Sequence, residues 1–338
     1  MRRQAGIIPS AMVDTLIPAS SIRLHRRPTE IPIEKKPDWL KVRAAMGPNF
    51  LDLKALKRDL SLHTICEEAH CPNIYECWEN RTATFLILGR ICTRACRFCA
   101  VETGRPTELD REEPDRVAEA VGHLRLRHVV VTSVARDDLA DGGACVFADT
   151  IRAIRRDVPL CAIEVLIPDL QGSDDGLRAI VGAGPEILNH NVETVERLQR
   201  KVRAKARYDR SLWVLRRAKE LNPSLRTKSG MMLGVGEARE EVVQTMRDLR
   251  AIDVDIITIG QYLRPSPKHL AVERFVPPEE FAELKVIGLE MGFRHVESGP
   301  LVRSSYHAHE QAATPAQSTQ SMAVPGGHQM PALPRMSC

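Results

Sequence analysis

The segment TATFLILGRICTRACRFC, residues 82–99, joins a short apolar run to three closely spaced cysteines. Its first part, Thr82–Leu88, is rich in aliphatic, aromatic and β-branched residues, which is typical of a buried β-strand. Five similar runs follow along the chain: His128–Val134, Ala162–Pro168, Ile187–Asn191, Thr227–Gly234 and Asp255–Leu263. Together these runs predict six strands.

Helical patterns separate the predicted strands. Pro114–Arg127 opens with proline at a favourable first position, and three further segments repeat apolar residues at three- and four-residue steps: 147–158, 212–221 and 240–252. Six alternating units with nearly continuous apolar strands favour a parallel sheet, so we predict an α/β fold, a partial (β/α)6 TIM-type barrel. Sites on such sheets lie at the carboxyl ends of the strands, where the first cysteine cluster is expected.

Four segments are predicted along the chain. These are a flexible N-terminal extension at 1–35, a cysteine-bearing extension at 36–81, the partial barrel at 82–310 and a disordered tail at 311–338, which carries a single charge. The first 28 residues hold five arginines and one aspartate. A disordered bacterial extension is favoured there over an organellar transit peptide, so the predicted location is cytoplasmic, with mitochondria or plastids as the alternative.

Charge and hydropathy exclude two classes of partner. The chain carries 48 basic and 44 acidic residues, and after the first 28 residues the two signs balance at 43 each. That balance leaves no net basic charge for holding a nucleic-acid backbone, although it leaves room for a local basic patch. No window approaches the roughly eighteen apolar residues that a membrane span needs. We therefore expect neither nucleic acid nor membrane as a partner.

Six of the nine cysteines form two triplets, Cys66–Cys71–Cys77 and Cys92–Cys96–Cys99. The triplet Cys92–Cys96–Cys99, which we call the first triplet because it follows the first predicted strand, is too compact for the paired CxxC knuckles of structural zinc, whereas dense thiolates suit an iron–sulfur cluster. Three cysteines leave one iron of a four-iron cluster open. A zinc loop or a set of core cysteines is the alternative. Cys145 and Cys161 are expected in the core, and Cys338 is assigned no chemistry.

The octapeptide CTRACRFC, residues 92–99, resembles the CxxxCxxC motif of radical S-adenosylmethionine enzymes, with Phe98 at the expected aromatic position near the cofactor. The resemblance implies that Cys92, Cys96 and Cys99 hold a 4Fe-4S cluster whose open iron binds S-adenosylmethionine. It further implies that reductive cleavage of this cofactor yields an adenosyl radical, which abstracts hydrogen from an unactivated carbon.

The upstream stretch LHTICEEAHCPNIYECW, residues 62–78, narrows the resemblance to the lipoyl synthase family. In that family three such cysteines hold an auxiliary 4Fe-4S cluster, which implies this role for Cys66, Cys71 and Cys77. The segment SGPLVRSSYHA, residues 298–308, resembles the family's RSSY segment, in which a serine completes the auxiliary cluster. The serine beside the tyrosine is Ser305, and Ser304 is the weaker choice.

This family resemblance runs from about residue 36 to residue 309 and implies the reaction. Two sulfur atoms from the auxiliary cluster would be inserted at carbons six and eight of an octanoyl chain on a lysine of a lipoyl carrier domain. Implied carriers are 2-oxoacid dehydrogenase acyltransferase subunits and the glycine cleavage H protein. A flavodoxin- or ferredoxin-type reductant and an iron–sulfur cluster carrier are the other implied partners. A tRNA methylthiotransferase and a non-catalytic electron carrier are the alternatives.

Polar residues at the predicted strand ends are implied contacts for S-adenosylmethionine: Thr132, Ser133, Glu164, Asn189 and Asn191. Amides, hydroxyls and carboxylates can bind the ammonium and sugar hydroxyls of such a ligand, but they also serve as loop caps. Lys228 and Arg303 are weaker candidates for anchoring a carboxylate. His190 and His307 are expected to pack and form hydrogen bonds. Arg81 and Arg90 depart from the family, where glycine and an acidic residue are usual.

Overall fold

The computed structural model describes residues 35–42, 44–306 and 308. The predictions for the first 28 residues, His307, Cys338 and the tail at 311–338 therefore fall outside the described residues.

The centre of the fold is a sheet of eight strands, whose spatial order follows the chain. The strands are β1 His63–Thr64, β2 Thr84–Ile87, β3 His128–Ser133, β4 Ala162–Leu166, β5 Ile187–Asn189, β6 Arg226–Leu233, β7 Ile256–Gln261 and β8 His295–Gly299. Strands β2 to β8 are parallel, and β1 pairs antiparallel with β2. Because the described part of β1 and β8 does not pair, the barrel stays open, and the predicted partial TIM-type barrel is confirmed.

All six predicted strands are present as β2 to β7, and most of them are shorter than the apolar runs. The sequence did not reveal β1, which has only two residues, or β8, where polar and glycine residues interrupt the apolar pattern. Strand β8 pairs with β7 from Ile256 opposite His295 to Gly260 opposite Gly299. The added strand matters because it carries the chain to the serine-rich segment that follows it.

Ten α-helices accompany the sheet in the described part of the chain. They are α1 Pro48–Asp59, α2 Ile65–Glu68, α3 Ile74–Glu79, α4 Glu113–His123, α5 Ala144–Asp157, α6 Asp174–Gly182, α7 Gln199–Val202, α8 Tyr208–Leu221, α9 Arg239–Arg250 and α10 Pro278–Glu290. The four predicted helices correspond to α4, α5, α8 and α9. Helix α4 ends before Arg127, since Arg125 adopts the left-handed conformation with φ of 52°.

The cysteine-bearing extension shares the core of the barrel. Trp78 is fully buried and packs on Phe50, with ring centroids 4.9 Å apart, and Phe50 stacks on Tyr75 at 5.5 Å. These side chains belong to one continuous apolar cluster with the strands of the sheet. Burial of such large aromatic surfaces fixes the extension against the barrel. None of the described helices is both long and apolar enough to cross a membrane.

The carboxyl end of β2 is held by a buried glutamate. Glu113, in the first turn of α4, accepts a hydrogen bond from the backbone N–H of Leu88 at 2.7 Å. Burial raises the pKa of Glu113 to about 7, and the neighbouring Asp110 adds to the rise, while Arg116 opposes it. The folded protein therefore binds this proton more tightly than the unfolded chain does.

We expect this contribution to stability to be greatest at acidic pH and to be lost as pH rises through about 7. Glu113→Gln keeps an acceptor for Leu88 and cannot ionise, so the variant should gain on the wild type in thermal midpoint as pH increases. Midpoints measured from about pH 5 to about pH 8 test this. Glu119→Gln, on the exposed face of α4, is the control, and equal pH profiles for wild type and Glu113→Gln would contradict the prediction.

Candidate cluster sites and cofactor pocket

The first cysteine triplet lies in the loop that leaves the carboxyl end of β2. Its backbone is held by a later part of the same connection and by helix α7: Cys92 N donates to Glu102 O at 2.8 Å, and Arg97 N donates to Val202 O at 2.9 Å. All three of its thiols are half-buried. The loop therefore presents three sulfurs at the edge where the parallel strands end, as the sequence predicted.

Burial favours the protonated form of two thiols in this triplet. It raises the pKa of Cys96 to about 11 and that of Cys99 to about 12; the Cys92 thiol raises both further, and Cys96 raises the pKa of Cys99. Cys92 Sγ accepts hydrogen bonds from the backbone N–H groups of Arg94 at 3.4 Å and Ala135 at 3.3 Å. Metal binding must displace the thiol protons, so loading of this site releases protons.

The second triplet lies in the extension, with Cys66 in α2, Cys71 just after it and Cys77 in α3. Cys71 N donates to Cys66 O at 2.9 Å. Burial raises the pKa of Cys66 to about 11 and that of Cys77 to about 12, and Cys71 raises both further. Arg303 lowers the pKa of Cys71 against the larger effect of burial. A buried cation beside a thiol suits a site that takes up negative charge.

A single metal ion does not fit either triplet. Within 35–42, 44–306 and 308, no three His, Cys, Asp or Glu side chains converge closely enough to hold one ion. Each cysteine of a four-iron cluster binds a different iron, so its thiols lie farther apart than the ligands of one zinc ion. Thiols that do not converge on one point are compatible with a four-iron cluster.

Residues 301–306, which we call the serine segment, pack against the second triplet. Asn73 Nδ2 donates to Leu301 O at 2.8 Å, and Tyr306 OH donates to the carboxylate of Glu76 at 3.3 Å. The structure therefore brings Ser304 and Ser305 to the same region as Cys71 and Cys77, although more than 220 residues separate them in sequence. These contacts agree with the prediction of a serine near this triplet.

The two serines differ in their contacts. Ser304 Oγ accepts a hydrogen bond of 2.7 Å from Asn191 Nδ2. The hydroxyl of Ser305 makes no hydrogen bond to any side chain or backbone group within the described residues. Because a ligand oxygen must be available to the metal, this difference favours Ser305 as the fourth ligand and gives Ser304 a separate role.

The residues predicted to contact the cofactor lie at or near the strand ends. Some of them are already hydrogen-bonded within the protein. Thr132 Oγ1 donates to Leu166 O at 3.0 Å, which leaves Thr132 engaged in the sheet. Glu164 lies deeper, fully buried, and accepts from Lys228 Nζ at 2.8 Å and from Asn189 Nδ2 at 3.2 Å. Lys228 is thus paired inside the barrel. Phe98 packs, partly buried, against the core.

Three buried oxygens in this region lack a hydrogen-bond partner within the described chain: Ser133 Oγ, Asn189 Oδ1 and Asn191 Oδ1. An unsatisfied buried polar atom costs about 1–3 kcal/mol, so such a group of acceptors indicates a ligand that donates hydrogen bonds. An ammonium group and sugar hydroxyls supply such donors. The residues therefore fit S-adenosylmethionine, the ligand that the cysteine motif implies.

Two residues of this region were missed by the sequence analysis. Glu193 has φ of 63°, accepts from Asn191 Nδ2 at 3.1 Å, and lies near enough to raise the pKa of Cys96 and Cys99. Buried Arg203 donates to Asn191 O at 2.6 Å. Glu193 belongs to the NHNVET stretch and could have been selected from it, whereas Arg203 directly follows helix α7 and belongs to no motif.

His190 has the structural role expected of it. Its Nδ1 lies 2.8 Å from Ile167 O, and its Nε2 lies 3.0 Å from Ser211 Oγ. Burial lowers the pKa of His190 to about 4, so the ring is neutral near pH 7.

Comparisons of the sequence with known proteins point to the same family as the cysteine motifs. Residues 86–249 match the radical SAM superfamily model, and residues 20–71 match the N-terminal domain of lipoyl synthase. The lipoyl synthase of Rubrobacter xylanophilus is 62% identical over 84% of this chain and 91% of its own length. The lipoyl synthase of Bacillus mycoides is 59% identical over 85% of this chain and 96% of its own length. The chain belongs to the lipoyl synthase family.

A solved structure supports the fold of this lipoyl synthase family member. Streptococcus suis SuiB bound to precursor peptide SuiA superposes with a TM-score of 0.50 at 8% identity, over 67% of this chain and 52% of that chain. The residues that depart from the family lie outside both triplets. Arg90 is paired with Glu102 at 2.8 Å, and exposed Arg81 has φ of 52°, a conformation in which the usual glycine is unstrained.

The loop of the first triplet depends on one buried arginine. Arg94, between Cys92 and Cys96, donates to Asp137 at 2.7 Å and to Asp169 at 2.6 Å and is only 9% exposed. These carboxylates follow β3 and β4, so Arg94 ties the cysteine loop to two neighbouring strand ends. Removal of the guanidinium would leave buried Asp169 with only the longer contact to Arg210, at 3.4 Å, and would take from Asp137 its closest partner.

Arg94→Ala should destabilise the protein by about 3–5 kcal/mol and lower the iron content of the first site more than that of the second. Arg94→Lys keeps the charge and should recover part of the loss. Iron and sulfide analysis with electron paramagnetic resonance of the reduced protein measures this. Arg90→Ala, which breaks the exposed pair with Glu102 in the same loop, is the control and should cost less than about 1 kcal/mol. Equal iron loss in Arg90→Ala and Arg94→Ala would contradict the prediction.

Proposed function

We propose that this chain is a lipoyl synthase that inserts two sulfur atoms at carbons six and eight of an octanoyl group carried on a lysine of a lipoyl carrier domain. The observation that carries the proposal is the pair of cysteine triplets in different environments of one protein. One triplet lies on the barrel edge beside unsatisfied acceptors, and the other lies in the extension beside the serine segment. Membership of the family supports the same reaction.

The triplets would have separate tasks. Cys92, Cys96 and Cys99 would hold a 4Fe-4S cluster for radical generation, while Cys66, Cys71, Cys77 and Ser305 would hold an auxiliary 4Fe-4S cluster as sulfur donor. When bound, these clusters and S-adenosylmethionine supply one-electron cleavage, hydrogen abstraction from carbon and the sulfur atoms. The protein provides position and exclusion of water, and a hard serine oxygen suits a ligand that must be easily displaced.

The chain's own residues would orient the cofactor at the strand ends. Ser133, Asn189 and Asn191 present free acceptor oxygens to its ammonium and hydroxyl groups, and Glu193 adds a carboxylate. Thr132 and Glu164 would act mainly by holding the strand ends, since Glu164 fixes Asn189 through a hydrogen bond of 3.2 Å.

The loop after β7 packs against the loop of the first triplet. His269 Nε2 donates to Cys99 O at 3.0 Å, and Leu270 N donates to Arg97 O at 3.0 Å. Buried Tyr262, at the start of this loop, donates to Leu270 O at 2.9 Å and so links two parts of the loop. Water exclusion protects a reactive carbon-centred species from side reactions, so this covering loop fits radical chemistry.

The proposed partners follow from the reaction. The substrates would be octanoylated lipoyl carrier domains of 2-oxoacid dehydrogenase acyltransferase subunits and the glycine cleavage H protein. A flavodoxin- or ferredoxin-type protein would supply electrons, and an iron–sulfur cluster carrier would restore the auxiliary cluster after it donates sulfur. We further propose a cytoplasmic location, with residues 36–81 as the auxiliary-cluster extension and 82–310 as the catalytic barrel.

A single-turnover assay tests the reaction. The anaerobically reconstituted protein is mixed with S-adenosylmethionine, a strong reductant and an octanoyl-lysyl peptide, and products are read by mass spectrometry. We expect peptide that has gained two sulfur atoms, as the dithiol, together with two molecules of 5′-deoxyadenosine for each product. Deoxyadenosine without a thiolated peptide, from protein loaded at both sites, would contradict the proposal.

Single substitutions separate the tasks of the two triplets. Cys96→Ala should abolish formation of deoxyadenosine, because the first site loses a ligand. Cys71→Ala should still form deoxyadenosine but give no thiolated peptide, because only the sulfur donor is lost. Cys161→Ala, a buried cysteine outside both triplets, is the matched control and should retain both products. Lipoyl product from Cys71→Ala would show that sulfur has another source.

A further inference from the structure

Asn191 is one of the strand-end residues, with Ser133 and Asn189, that we propose bind S-adenosylmethionine and that we call the cofactor pocket. It also contacts the serine segment. It follows β5 at the strand ends and is 8% exposed. Its Nδ2 group donates one hydrogen bond to Ser304 Oγ at 2.7 Å and a second to Glu193 Oε1 at 3.1 Å. Both N–H bonds of the amide are therefore used, one toward the serine segment and one toward the first cysteine triplet.

The other end of this amide is available to a ligand. Asn191 Oδ1 is buried, and none of the described residues donates a hydrogen bond to it. The oxygen lies against Gly230 of β6, where a Cβ atom would come within 2.8 Å of it. Because Gly230 has no side chain, the amide can keep this orientation. A donor that bound Oδ1 would then fix the amide plane without competing for either N–H bond.

We propose that Asn191 is a positioning residue that couples occupation of the S-adenosylmethionine pocket to the order of the serine segment. The inference rests on the proposed function, which places this ligand at the strand ends. A ligand donor on Oδ1 holds Nδ2 toward Ser304, and a bound Ser304 in turn holds Oδ1 toward the ligand. Coupling between two sites is reciprocal, so each event favours the other by the same factor.

The consequence concerns the neighbouring serine. Ser305 has no hydrogen bond of its own within the described residues, so its position depends on Ser304 and on the rest of the segment. Filling of the cofactor pocket would therefore present the Ser305 hydroxyl to the second triplet more firmly. In this way the radical site would control the ligand set of the sulfur donor, although no cysteine is shared between them.

The chain offers a matched control. Tyr306 attaches the same segment through Glu76, at 3.3 Å, and this contact does not involve Asn191. Tyr306→Phe should loosen the segment overall but leave its response to the cofactor unchanged. Ser304→Ala should abolish that response, and Ser304→Thr, which keeps the hydroxyl, should restore it.

Hydrogen exchange read by mass spectrometry tests the coupling in the cluster-loaded full chain. A reporter is the backbone N–H of Tyr306, which donates to Arg303 O at 2.9 Å. Saturating S-adenosylmethionine should slow exchange across residues 301–306 about fivefold or more in the wild type, the lower end of typical allosteric coupling. In Ser304→Ala the slowing should disappear, and the dissociation constant for S-adenosylmethionine, from equilibrium dialysis, should rise by the same factor.

The outcomes distinguish this inference from the proposed function. If the wild type binds S-adenosylmethionine without any slowing, or if Ser304→Ala keeps the full slowing, the coupling is wrong and the proposed function stands. If the loaded wild type binds no S-adenosylmethionine, both fail. Loss of the response in Tyr306→Phe as well as in Ser304→Ala would also overturn the coupling, because it would show that the segment responds through general looseness and not through Asn191.

Discussion

Seven parallel strands end at one edge of the sheet, and the arrangement of the site depends on this constraint. Residues that follow different strands must share that edge, however far apart they lie in sequence. The first cysteine loop follows β2, Asp137 follows β3, Asp169 follows β4 and Asn191 follows β5. Arg94 links three of these connections with two hydrogen-bonded carboxylates. The common direction of the strands thus brings these residues together, and the ion pairs of Arg94 hold three of the connections in place.

Charged side chains are buried in the interior of the barrel below this edge, and their burial costs free energy. Glu164 and Lys228 form an ion pair in which both side chains are fully buried, and His128 Nε2 lies 3.8 Å from the same carboxylate. Such a pair adds little net stability, but loss of one partner leaves a buried charge and costs about 3–5 kcal/mol. Since Glu164 also accepts from Asn189 Nδ2, the pair fixes the orientation of an amide whose oxygen has no hydrogen-bond partner in the described chain.

Sequence predicted the features that depend on local patterns. Apolar runs gave β2 to β7 because strands buried on both faces need continuous apolar residues, and the spacing of the cysteines identified both triplets. Strand β8 was not predicted because its residues, HVESG, do not form a continuous apolar run. They form a strand by pairing with β7. Arg203 was not predicted as a site residue because no local pattern marks it, and only the tertiary fold brings its guanidinium to Asn191. The hydrogen bond from Asn191 to Ser304 could not be predicted either, because it joins residues 113 positions apart, and Ser305 stays the predicted ligand.

The two triplets also differ in how they can form. Cys92, Cys96 and Cys99 lie within eight residues, so a short loop gathers them at low entropic cost. The second triplet meets its serine segment only through contacts such as Asn73 to Leu301, across 228 residues of chain, and that segment follows the last strand. If the proposed auxiliary cluster binds there, a preformed four-ligand site would require β8 to be in place. Because metal binding is coupled to the folding that builds its site, completion of the second site comes after completion of the barrel.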